Sequence, residues 1–289
     1  MRWRDLRRSS NVEDRRDESP SVRGGGGIKL GGVGLVLVMV ASLIFGVDPT
    51  QVLNLLGGGS TATAPQQTQQ RKAPPANDPN ADFVAAVLGD TEDTWSQLFQ
   101  AQGGQYARPK LVLFRDAAQS ACGFASAAVG PFYCPGDRQV YLDLSFFQEL
   151  SQRFGAPGDF ARAYVIAHEI GHHVQNLTGI SAKVQAQQRQ LPEAQANALS
   201  VLVELQADCL AGVWGHYAQR RGVLEPGDIE AAMKAASAIG DDRLQRQARG
   251  YVTPDSFTHG TSEQRMRWFS RGLKTGDVKE CNTFVAQRP

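Results

Sequence analysis

Residues 163–175 read Ala-Tyr-Val-Ile-Ala-His-Glu-Ile-Gly-His-His-Val-Gln, a stretch apolar on nearly every side except for one His-Glu-x-x-His cluster. A helix apolar all round belongs inside a fold, so the rest of the chain must be arranged around this segment. At a spacing of four, His168 and His172 lie one above the other on a single helical face, and both imidazoles can reach one ion. Glu169 is offset from that face and can reach a water beside the ion. A core helix holding these groups without partners would cost roughly 2–7 kcal/mol for each unpaired polar group. A zinc ion removes that cost, and the pattern carries a metal-site mechanism in its spacing. Of the five histidines in the chain, three sit in this run.

A catalytic zinc site takes three protein ligands and keeps one position open. Glu204, in Leu202-Val-Glu-Leu-Gln-Ala-Asp208, is the candidate for the third: a second carboxylate embedded in an apolar helical stretch. Asp208 lies one turn on, on the same face, where it can accept the free ring N–H of His168 or His172 and fix its tautomer. Ala211, Gly212 and Gly215 continue that side with small residues and predict a close approach to the metal helix. The rivals are Glu193, placed after Pro192 at a helix start where the dipole favours a carboxylate without any metal, and His216. His173 points about 100° away from the ligand face. His259 sits in Phe257-Thr-His-Gly-Thr-Ser-Glu-Gln-Arg265, a polar loop leading into a helix. Such a loop can bring a donor to an oxyanion, with Arg265 assisting, although Thr261 and Ser262 are also cap candidates.

The formal net charge of +1, with 20% charged residues, gives no reason to expect a nucleic-acid partner. Residues 1–27 carry seven Arg and five acidic residues and end in four Gly; without a core pattern, they read as a disordered tail. Residues 28–47 are apolar except for Lys29 and Ser42, near the roughly 17–25 residues that span a bilayer, and predict a transmembrane helix through the lipid. The long preceding flank and the lack of a clear small-x-small site argue against a cleaved signal. Arg15, Arg16, Arg23 and Lys29 precede the run, and basic residues follow only at Arg71 and Lys72. The positive-inside rule therefore places the tail in the cytoplasm and the body outside, in the bacterial periplasm or cell exterior.

Residues 48–79 are rich in Gly, Thr, Gln, Ala and Pro and read as a tether, leaving 80–289 as one domain. Within it, the apolar spacing predicts a helix over residues 81–100, broken near Gly89. Strands are expected at 110–114 and 138–144, the second either interior or an edge able to add an extended peptide. A short helix is expected over 145–150; Asp159 is the cap candidate for the metal helix, and Thr178-Gly179 its stop. An exported body permits disulfides. The turn-rich loop between Cys122 and Cys134 predicts that these two pair, leaving Cys209 with Cys281. The fold class expected is α+β, mainly α, with a small sheet.

With these residues in place, the chain resembles the bacterial neutral zinc metallopeptidase family, membrane-anchored proteins with one exported domain. The resemblance is carried by Ser10-Asn-Val-Glu-Asp-Arg15, the Gly run and single apolar span, the segment from Cys122 to Cys134, His168-Glu-Ile-Gly-His-His-Val-Gln175, Glu204-Leu-Gln-Ala-Asp208 and His259-Gly-Thr-Ser-Glu-Gln-Arg265. It implies a zincin-like domain behind a single transmembrane helix, one zinc ion and a protein or peptide substrate. More distantly the chain is similar to the gluzincin metallopeptidases, whose third ligand is the Glu of a Glu-x-x-x-Asp helix, which carries over to Glu204 and Asp208. Some of those end in His-Pro-x-x-x-x-Arg; here Gly260 stands where that Pro would be. The expected reaction is hydrolysis of a peptide bond by a metal-activated water with Glu169 as general base. The alternative is a membrane-tethered scaffold or binding module that uses zinc for stability. A structural zinc is usually closed by four protein ligands and has no use for Glu169.

Overall fold

The computed structural model describes residues 1–18, 72–126 and 130–285. The expected transmembrane helix over 28–47 and most of the tether lie outside the described residues. The described residues form a mainly helical α+β fold with a small sheet, the class expected from the sequence.

Four strands form the main sheet in the order β1 (Val12–Asp14), β2 (Lys110–Phe114), β6 (Gln139–Asp143), β5 (Phe132–Cys134). The first three run parallel and β5 is antiparallel to β6. Alternation along the strands decides the faces. Leu111, Leu113, Val140 and Leu142 turn to the helical core, whereas Val112, Phe114 and Tyr141 turn to a second cluster with Cys134 and Ala118. A two-stranded hairpin, β3 (Ala117–Ser120) with β4 (Gly123–Ser126), stands beside this face. The disulfides are Cys122–Cys134 and Cys209–Cys281, as expected. Of the two options left for residues 138–144, the interior one holds: β6 is paired on both sides, and β1 and β5 are the edge strands.

Helix α1 (Pro79–Ala101) starts at Asp78, whose carboxylate accepts from the Asn80 and Ala81 amides, and ends against β2 through a short connection. It is unbroken at Gly89, contrary to the sequence reading. Next come α2 (Phe146–Gln152), α3 (Asp159–Leu177), α4 (Ile180–Gln188) and α5 (Glu193–Arg220), then α6 (Asp228–Ala238), α7 (Asp241–Arg249) and α8 (Ser262–Thr275). Helix α5 is the one described helix long and apolar enough to cross a membrane, but it is a core helix packed between α3 and α8. The N-cap of α3 is Gly158 and not Asp159, because the Asp159 carboxylate instead accepts from Trp3 Nε1 at 2.9 Å.

That last contact belongs to a larger correction. Residues 1–18 are not a disordered tail; they are built into the domain. Met1 and Trp3 are buried in the core, with Trp3 edge-on to Phe83. Arg8 makes a bidentate pair with Asp82, both distances 2.7 Å. Glu92, fully buried on α1, accepts from Arg7, Ser9 and Asn11 of the tail at 2.9, 2.7 and 2.7 Å. The Asn11-Val-Glu-Asp part of the tail motif then runs along β2 as β1. Composition hid this because few apolar residues are involved: the segment is held by polar groups, each meeting a specific partner from distant chain.

Gly89 is explained by the same docking. A Cβ there would lie 2.4 Å from the Arg7 carbonyl oxygen, so the glycine marks where the tail crosses α1. We expect Gly89→Ala to destabilise the domain by about 1–3 kcal/mol in urea unfolding, on the scale of overpacked contacts. The same substitution should cost little in a chain lacking residues 1–18. Equal costs in both backgrounds would show that the tail does not cross there.

Candidate metal centre

Helix α3 carries His168, Glu169 and His172, and α5 carries Glu204 and Asp208. The two helices meet at Gly171, where a Cβ would lie 2.9 Å from the Ala207 carbonyl oxygen. That contact brings the paired imidazoles up to Glu204. Of the small residues that follow Asp208, Gly215 lies against Phe160 of the metal helix as well as Leu273 of α8, while Gly212 does a different job from the one expected. Gly212 faces α8, where a Cβ would sit 2.1 Å from the Phe269 carbonyl, and Gly272 of α8 faces the Cys209 carbonyl in return. This second close crossing presses α8, with Arg265 on it, against Asp208.

His168, His172 and Glu204 offer ligand atoms that all lie within 4.8 Å of one another. His168 Nε2 is 3.1 Å from Glu204 Oε2, and His172 Nε2 is 3.4 Å from Glu204 Oε1. Zinc bonds of about 2.0–2.1 Å in tetrahedral geometry put neighbouring ligand atoms about 3.3 Å apart, so the spacing suits that ion. The tautomers suit it as well. His168 Nδ1 is bound to Asp208 Oδ1 at 2.9 Å and His172 Nδ1 to Gln175 Oε1 at 2.9 Å, leaving each Nε2 turned to the common point. Gln175 is itself fixed, donating to the Val203 carbonyl at 2.7 Å and to Gln206 at 3.0 Å.

Asp208 is fully buried. It accepts from Tyr164 Oη at 2.5 Å and from Arg265 at 2.9 and 3.1 Å, besides His168. Burial pushes its pKa up, but Arg265 and His168 outweigh that and hold the carboxyl below its usual range. Burial alone would depress His168; the Asp208 and Glu204 carboxylates raise it to about 10 without a metal. Burial raises Glu169, against the opposing charges of His172 and His168, which makes it a stronger proton acceptor than a surface glutamate.

The expected residues thus come together, with His259 at the margin. Its side chain is half exposed at the lip of a cavity of about 490 Å³ that also exposes His168, Glu169, His172, Glu204 and Arg265. Asp241 holds the loop, accepting from the Thr258, His259 and Gly260 amides at 2.8, 2.6 and 3.0 Å, and lies 3.3 Å from His259 Nδ1. Burial lowers the His259 pKa, but Asp241 and Glu204 outweigh that and raise it, and the protonated ring has a second N–H on Nε2 to donate while Nδ1–H faces Asp241. Thr261 and Gln264 form a capping box at the start of α8, so the loop carries the cap as well. The rivals separate cleanly. Glu193 is exposed in the first turn of α5, and His216 is bound to the Leu273 carbonyl. His173 is buried between the Tyr133 hydroxyl, at 2.9 Å, and the Ala107 carbonyl, at 2.6 Å.

Four supporting residues escaped the sequence reading. Tyr164 and Gln175 stand four before His168 and three after His172, so helical spacing alone places them beside the ligands. Asp241, at the start of α7, and Tyr133, on β5, are distant in sequence, and no local pattern marks them. A larger cavity of about 700 Å³ elsewhere involves Arg16, Asp78, Asp143 and Arg162. Three of its carboxylates are engaged: Asp78 caps α1, Asp143 accepts from the Asp116 and Ser145 amides, and Asp159 accepts from Trp3 and Arg162.

The sequence profile of the family described as "Putative neutral zinc metallopeptidase" matches residues 1–284. The chain belongs to that family. An uncharacterized protein of Escherichia coli K12, YpfJ, is 51% identical over 290 residues, covering 98% of this chain and 99% of its own length. An uncharacterized protein of Mycobacterium tuberculosis H37Rv, Rv2575, is 42% identical over 260 residues, covering 85% of each chain. No solved structure gave a significant match. The neutral zinc metallopeptidase profile spans the docked tail as well as both metal helices, consistent with a domain that includes its first residues.

Proposed function

We propose that the protein is a zinc-dependent peptidase acting outside the cytoplasm. The observation that carries this reading is the pairing of a three-ligand set with an uncoordinated buried carboxylate: Glu169 opens into the same cavity as His168, His172 and Glu204 but is not among the convergent ligand atoms. A zinc ion held by those three would polarise a substrate carbonyl and bring a water's pKa to about 7. Glu169 is placed to accept the proton of the attacking water and pass it to the leaving amine. Arg265 and Tyr164 act through Asp208, which orients His168. His259 offers an N–H at the cavity lip for the oxyanion. Phe132, Phe146, Phe154 and Val184 give the cavity an apolar wall, which suits apolar side chains of a peptide.

The rival scaffold reading needs a fourth protein ligand, and none stands among the described His, Cys, Asp and Glu groups around the three. The test is direct: zinc stoichiometry of the purified full chain, with cleavage of a peptide library before chelation, after chelation and after zinc is returned. One zinc per chain with cleavage that is lost and then restored supports the proposal; zinc without cleavage favours the scaffold. Replacing His259 with Gln should lower kcat by about 10–10³-fold with little change in zinc content, the scale of a lost oxyanion donor. An unchanged kcat would remove His259 from the site.

The export of the body is proposed on the strength of its two disulfides, and attachment to lipid on the apolar run at 28–47.

A further inference from the structure

The docked tail bears on how the chain meets a membrane, independently of its chemistry. Residues 1–18 and 72–285 belong to one fold: Leu111 donates to the Asn11 carbonyl at 2.9 Å, Arg15 donates to the Leu113 carbonyl at 2.8 Å, and Trp3 sits in the core beside Phe83. The two ends of the intervening segment also meet. The Asp14 amide donates to the Lys72 carbonyl at 2.8 Å, and Lys72 pairs with Asp17. The two flanks, at residues 14–17 and 72, therefore lie at one place, beside β1.

A chain that crosses a bilayer once puts its two flanks on opposite sides, and a β-ladder with a buried Trp cannot be shared across hydrocarbon. Two helical crossings would need about 40 apolar residues, and the run at 28–47 is only 20 residues long, Lys29 and Ser42 included. Two strand crossings would leave unpaired backbone in lipid. Much of the positive charge that argued for a cytoplasmic tail is also committed in the fold. Arg16 binds Asp14 and Asp78, and Arg15 binds Glu13.

We infer that residues 1–18 and the catalytic body lie on the same side of the bilayer, with the face bearing Asp17 and Lys72 turned to the lipid surface. The competing arrangement is the single pass expected from the sequence, in which the tail stays in the cytoplasm.

The test uses the full chain in its membrane, with a thiol reagent that cannot cross lipid, applied to intact cells and to inside-out vesicles. The native cysteines are all in disulfides. The tail reporters are Ser10→Cys and Asp5→Cys, and the body reporter is Tyr251→Cys, all at exposed positions. The expected result is labelling of all three in the same preparation and loss of all three in the other. Tail reporters that label from the side opposite to Tyr251→Cys, or that fail to follow it in either preparation, overturn the inference. A folding defect at one tail position leaves the other to decide, since Ser10 and Asp5 lie on separate turns of the docked segment.

Discussion

Replacing Glu169 with Gln should leave one zinc per chain and lower kcat for peptide hydrolysis by about 10²–10⁴-fold, the range for a lost general base. The amide keeps the shape of the carboxyl and removes only its ability to take a proton. Glu169 is not among the convergent ligand atoms, so its change should spare metal content. It is also buried, and burial raises its pKa against the charges of His172 and His168 in the metal-free protein, so the substitution leaves no charge stranded there. Calorimetric or colorimetric zinc titration together with single-turnover cleavage separates the outcomes. Loss of metal would make Glu169 a ligand, and unimpaired cleavage would end the proposed mechanism.

Replacing Arg265 with Met should be the most damaging substitution outside the ligands. Arg265 is 2% exposed and Asp208 fully buried, so removing the guanidinium leaves a carboxylate in the interior with only neutral donors and His168 to hold it. Breaking a buried pair from one side costs about 3–5 kcal/mol, and disturbing a partner of a metal-binding His costs roughly 10–100-fold in affinity. We expect both effects, read by denaturant unfolding of the metal-free protein and by zinc titration. Adding Asp208→Asn should recover part of the lost stability because the two groups share one network. Additive losses would show that Arg265 and Asp208 act separately. The Gly212 and Gly272 contacts explain why Arg265 can reach so far in: they let α8 lie against α5 backbone to backbone.

The centre was legible in the sequence because its chemistry lies on two helices. Period 3.6 places His168 and His172 together, and the same period places Glu204 above Asp208. Only the join between helices had to be supplied by the fold, and it falls at Gly171 opposite Ala207. Of the small residues after Asp208, Gly215 meets the metal helix at Phe160 as expected, but Gly212 meets α8 instead, since spacing along one helix does not say which partner each face meets. The strand at 138–144 could not be placed as interior because its neighbours are separated from it in sequence. The tail was misread for a related reason. Trp3, Arg7, Arg8, Ser9 and Asn11 each pair with α1 or α3, so no periodicity of their own announces them. A sequence poor in apolar residues was taken as unable to fold, which holds only when no preformed surface awaits it.

The pairing of Val12 with Leu111 spans almost a hundred residues of chain. The first segment to emerge during synthesis is thus obliged to wait for one of the middle strands before it finds its place, and long-range pairings of this kind close slowly. Folding of the domain is tied to its own beginning: the buried Glu92 is satisfied by Arg7, Ser9 and Asn11, and a chain interrupted before β2 has no strand for Val12–Asp14 to pair with.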